Sequence, residues 1–165
     1  YRAIAKDFKL AKSKVTKAVS PTAKTSSLTI LVPDLFKTGG PASVGYIFGY
    51  KSKNLMHVNI LWGAGASKTT KDSEVVTTAN LLRAHFLKKR YKEEGLVANG
   101  QMSKNATLVF RGKDKKNRMV TLVLKSTPNP SKQADSMNQT QLVLSYILDP
   151  VKSDIRTIVI EEGEF

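Results

Sequence analysis

The chain contains no cysteine and only two histidines, His57 and His85. Without cysteine there is no disulfide framework, no thiol nucleophile and no cysteine-bound zinc. Two histidines leave little from which to build a catalytic metal site, so no metal ligands and no cofactor are expected. No apolar run approaches the roughly 18 residues that a membrane span needs. Acidic residues are scarce as well: 13 Asp and Glu stand against 27 Lys and Arg, a formal charge of +14. What is present is a chain of 165 residues, 41% hydrophobic, enough for one packed domain. That balance excludes a wholly disordered chain, a collagen-like chain and a coiled coil.

A chain this basic is drawn to polyanions: nucleic acid, an anionic surface, or an acidic partner protein. The charge is unevenly distributed. Residues 1–24 carry seven basic and one acidic residue, and residues 83–118 carry eleven and three. Residues 119–165 are mildly acidic, ending in Glu161-Glu162-Gly163-Glu164-Phe165. The densest block contains two clusters: Lys88, Lys89, Arg90 and Lys92, then Lys113, Lys115 and Lys116.

Residues 2–19 read as a basic amphipathic helix, with Ile4, Phe8, Ala11, Val15 and Val19 on one stripe. Ser20-Pro21 ends it, because the residue before proline is pushed out of the helical region. A polar stretch to residue 27 then divides an N-terminal helix and linker (1–27) from a single domain (28–165). Ser27–Val32, Val44–Tyr50 and Leu55–Trp62 read as strands, the last two joined by a hairpin-length loop. In the third, Met56, Val58, Ile60 and Trp62 form an apolar face for the core, and His57 and Asn59 point the other way. Residues 72–94 form the best helix, capped by Asp72 or Ser73. Val75, Ala79, Leu82 and Phe86 lie on its buried face. Lysines near its end suit the helix dipole. Thr107–Arg111 and Arg118–Lys125 form a hairpin with a basic tip, and residues 126–139 a long polar loop. Thr140–Leu148 and Ile155–Ile160 are the last strands. The expected fold class is α+β: an antiparallel β-sheet packed on one long helix, with the N-terminal basic amphipathic helix in addition.

Two motifs invite functional readings. The loop Gly63-Ala64-Gly65-Ala66-Ser67-Lys68-Thr69-Thr70 joins a strand to a helix, the setting in which backbone N–H groups cradle phosphate. It is not a P-loop, since Trp62 and Ser67 stand where that motif needs glycine, and it reads as a flexible connection. Tyr46, Phe48 and Tyr50 alternate on one strand. Exposed, they would stack on the bases of a single-stranded nucleic acid; packed, they are a core ladder. The aspartates mostly sit at turns and caps, where a backbone role accounts for them, and no carboxylate pair, nucleophile elbow or triad is visible.

Leu28–Val32 with Pro33-Asp34, the hairpin Val44–Trp62, the helix Asp72–Glu94 and the hairpin Thr107–Lys125 together resemble the sandwich group of the photosystem PsbP proteins, Mog1 and the envelope lipoprotein DcrB. The resemblance is one of architecture. It implies a small, noncatalytic, partner-binding domain outside the cytoplasm, in the periplasm or cell envelope. The expectation is therefore a binding or assembly domain, not an enzyme, that engages a protein partner or anionic surface. Its contacts are expected at Lys88, Lys89, Arg90, Lys92, Lys113, Lys115 and Lys116, with Tyr46 and Tyr50. An anchor preceding Tyr1 would bring it to a membrane. The alternative is a nucleic-acid-binding module that uses the same basic surface and the strand aromatics.

Overall fold

The structure is a computed structural model; it describes residues 15–67, 69–127 and 140–156. Among the described residues eight strands form one antiparallel sheet: β1 (Val15–Val19), β2 (Ser26–Val32), β3 (Ala42–Phe48), β4 (Leu55–Gly63), β5 (Val97–Ser103), β6 (Ala106–Lys113), β7 (Met119–Ser126) and β8 (Thr140–Ile147). A helix, α1 (Asp72–Leu87), links the two halves. The spatial order is β1-β2-β3-β4-β8-β7-β6-β5. Each half is a four-strand meander, and the last strand of each, β4 and β8, pair antiparallel at the centre.

The α+β class and the antiparallel sheet packed on one helix agree with the sequence reading. The apolar periodicity explains why. Alternation places Val44, Ile60, Leu144, Leu122 and Phe110 in one cross-strand row, and Ala42, Trp62, Leu142 and Leu124 in the next. Val75, Ala79, Leu82 and Phe86 of α1 are buried against these rows, as the helical spacing anticipates. Phe86 stacks on Phe110 with ring centroids 5.3 Å apart.

Three local expectations are corrected. Val15–Val19 is strand, not the last part of a helix: Val15 pairs with Ile30 and Val19 with Ser26. Its valines and threonine favour the extended form once a partner strand is available. The sheet therefore begins before residue 28. Residues 1–14, the rest of the expected helix, lie outside the described residues, as do residues 157–160 of the expected last strand, whose first two residues, Ile155 and Arg156, are not in a strand. Second, α1 ends at Leu87, not at residue 94: the N–H of Lys89 turns back to the Phe86 carbonyl at 2.9 Å. Lys88-Lys89-Arg90 brings three like charges together there, and the chain leaves to pair with β6. Third, the helix is capped by Lys71, whose N–H donates to Glu74 Oε2 at 3.0 Å; Asp72 and Ser73 fall in the first turn. The Asp72 carboxylate instead accepts the N–H of Thr140, tying the helix start to β8.

Candidate functional site

The topology gathers the basic turns at one end of the sheet. The registers put the turns at 20–25, 49–54 and 114–118 on the same side, and α1 runs down to that side before residues 88–92. Backbone hydrogen bonds join these pieces. Lys92 N–H donates to the Lys113 carbonyl at 2.8 Å, Leu148 N–H to Met56, Tyr50 N–H to Asp154, and Arg156 N–H to Ala23. With strands about 4.8 Å apart, the end extends about 24 Å from the β1–β2 turn to the β6–β7 turn.

The two lysine clusters meet here. Lys88, Lys89 and Arg90 are exposed past the helix C-terminus. Lys92 is half-buried; besides its backbone bond to Lys113, its Nζ donates to Asn117 Oδ1 at 2.6 Å. Lys113 closes β6, and Lys115 and Lys116 are exposed on the tip. Asp114 fixes that tip. Its Oδ1 accepts the N–H groups of Lys116 and Arg118, each at 2.9 Å, and its Oδ2 takes the Arg118 guanidinium at 2.6–2.7 Å. Desolvation would raise the Asp114 pKa, but the Arg118 guanidinium and the two N–H donors together outweigh it and hold the carboxylate low. Asp154 acts similarly beside the β3–β4 turn, accepting from the N–H groups of Lys51 and Ser52, and its pKa is lowered by hydrogen bonds from Ser52 and Lys51. These carboxylates shape turns and leave the surrounding lysines as the dominant charge.

The two tyrosines named from sequence lie apart from the two lysine clusters. Tyr46 is half-buried on the helix side of the sheet, in the row Leu28, Tyr46, Val58, Tyr146, Val120. Tyr50 lies beyond β3 in the turn, with Lys53 Nζ 5.6 Å from its ring centroid. It shares the basic end but stands about 14 Å along it from the β6–β7 tip, by strand spacing. Tyr46 and Phe48 are thus half-buried, neither fully packed nor fully exposed.

Sequence reasoning missed a cavity of about 290 Å³ next to the lysine clusters, lined by Tyr91, Asp114, Arg118, Met119, Val120, Tyr146, Ile147 and Leu148. Burial raises the pKa of both tyrosines, and for Tyr91 the nearby Tyr146 and Asp114 add to the shift, so both phenols stay protonated as donors. The alternation of Tyr146 with Leu142 and Leu144 was the one available signal, since it put that ring on the helix side. A second cavity, about 340 Å³, lies at the opposite end by Lys37, the Gly39-Gly40 turn and the start of α1; it brings together one lysine and one glutamate. Among the described residues no group of three His, Asp or Glu side chains is placed to hold a metal ion, and no helix is long and apolar enough to cross a membrane.

His57 lies on the other face of β4, between Ile47 and Ile147. Burial lowers its pKa below the ordinary 6.5 and favours the neutral ring. The stabilisation is therefore present above the unfolded value, near 6.5, and is lost as pH falls through the folded one. The urea midpoint is expected to fall between pH 7.5 and 5, a window above the titration of the low-lying aspartates. His57→Gln should flatten that fall; an unchanged pH profile in the variant would remove His57 as its source.

Comparison with protein-family models, with curated proteins and with solved structures found no match.

Proposed function

We propose that this chain is a noncatalytic binding or assembly domain that engages an acidic protein partner or anionic surface through the lysine-rich end of its sheet. The observation that carries the reading is the pairing of Lys92 with Lys113, which joins two basic clusters separated in sequence into one surface. Pooled charge on a rigid end attracts a polyanion more strongly than the same charge dispersed over the molecule. The extracytoplasmic location, in a bacterial envelope, rests on the resemblance to the PsbP, Mog1 and DcrB group, and cell fractionation tests it.

The test is titration against polyglutamate, single-stranded DNA and anionic vesicles at about 50 and 200 mM salt, between which the Debye length shortens substantially. Binding should weaken steeply with salt. The variant Lys113→Ala/Lys115→Ala/Lys116→Ala should bind several-fold more weakly at low salt, with a shallower salt dependence. Its stability should barely change, because surface charges contribute little to folding and the backbone bond from Lys92 to residue 113 survives. Binding confined to DNA and lost in Tyr46→Ala or Tyr50→Ala would replace this reading with the nucleic-acid module. An absence of binding to any polyanion at low salt would reduce the +14 to a solubility feature.

A further inference from the structure

We propose that the partner segment is an acidic peptide carrying one aromatic or aliphatic side chain, and that this side chain enters the cavity between Tyr91 and Tyr146. The inference rests on the binding role assigned above to the lysine-rich end and specifies what that end recognises.

The cavity and the cationic surface are contiguous. Tyr91 lies between Arg90 and Lys92, and Asp114 and Arg118 belong to both the hairpin tip and the cavity wall. The rim therefore carries excess positive charge, while the interior is apolar and close to neutral. Its two charged groups, Asp114 and Arg118, are paired with each other at 2.6 Å. Tyr146 is 38% and Leu148 40% exposed, so large apolar groups stand in water beside the basic clusters. A ligand that satisfies both parts is anionic along its length and apolar at one point. At about 290 Å³ the cavity is at the small end of ligand pockets and suits a side chain better than a cofactor.

The ring geometry favours a peptide over a nucleic acid. A nucleobase needs an open aromatic face. Tyr91 lies against Gly112, where a Cβ would come within 2.8 Å of its Cγ, and it packs on Phe110 at 5.2 Å. Tyr146 stands edge-on to Phe86. The rings act as walls, and their hydroxyls, both protonated, are donors for peptide carbonyls or carboxylates.

The experiment titrates the full chain at low salt with two labelled peptides, Glu-Glu-Phe-Glu-Glu and Glu-Glu-Ala-Glu-Glu. The phenylalanine peptide should bind about tenfold or more tightly, the increment expected from burying one aromatic side chain. Leu148→Gln, exposed and without change of charge, should abolish most of that preference and leave the alanine peptide's affinity alone. The lysine variant of residues 113, 115 and 116 should weaken both peptides alike. Equal affinity for the two peptides would overturn the cavity's role and leave the electrostatic reading standing. Failure of both to bind would overturn both. A single-stranded oligonucleotide that binds more tightly than either peptide and loses affinity in Leu148→Gln would transfer the cavity to a nucleobase.

Discussion

Phe86→Ala is expected to destabilise the protein by about 3–5 kcal/mol, the cost of removing a large buried aromatic and leaving a cavity. Phe86 is 3% exposed. It stacks on Phe110 at 5.3 Å, meets Tyr146 edge-on at 6.4 Å and lies against His85 at 5.5 Å. It is the last buried residue of α1, so its loss loosens the helix where residues 88–92 depart for the basic end. A domain of this kind has about 5–15 kcal/mol in total, so the substitution removes a large part of it. In thermal melts the midpoint should fall by about 6–20 °C. Phe86→Leu, which keeps most of the volume, should cost less than about 1.5 kcal/mol. A loss below about 1 kcal/mol in Phe86→Ala would show that the helix is not seated on this row.

The second large effect is expected at Gly63, where β4 hands over to the loop before α1. Its φ is +77°, a region that side chains disfavour by about 1–2 kcal/mol. A Cβ there would also fall 2.2 Å from the Thr140 carbonyl oxygen and 2.9 Å from Val75 Cγ2. That oxygen accepts the N–H of Ala64 at 3.0 Å, so the clash is with backbone that is already held. Overpacking of this kind adds about 1–3 kcal/mol, which puts Gly63→Ala at about 2–5 kcal/mol. Gly95 supplies the control. Its φ is +75°, yet nothing lies within 4 Å of a Cβ. Gly95→Ala should therefore show the conformational cost alone, about 1–2 kcal/mol. Equal losses in the two variants, by chemical denaturation, would mean that the close approach to Thr140 contributes nothing.

A larger loss in Gly63→Ala than in Gly95→Ala would also explain the glycine-rich loop. Gly63 is glycine because two elements meet over it. The loop thus joins β4, β8 and α1 at the end of the molecule opposite the lysines, and its backbone is engaged structurally.

The sequence by itself determined the fold class, the two central hairpins, the helix and its buried face. These follow from side-chain periodicity, a property of neighbouring residues: alternation in Met56–Trp62 and Leu142–Tyr146, and helical spacing in Val75–Phe86. It also located the two lysine clusters. The tertiary structure decided what depends on a distant partner. Val97–Ser103 is assigned no element in the sequence reading, and it contains Asn99 with a φ of +60°; it is a strand because β6 offers hydrogen bonds along it. Val15–Val19 carries apolar residues at positions that suit a helix stripe as well as a strand, and pairing with β2 selects the strand. The end of α1 was equally hidden, since Lys88 and Lys89 are good helix formers. There the chain leaves the helix, and the Lys92 N–H reaches the Lys113 carbonyl. The candidate site follows the same division. Its charges were legible residue by residue, while their union on one end, and the Tyr91–Tyr146 cavity beside them, arise from an antiparallel order that returns three basic turns and the helix terminus to the same side of the sheet.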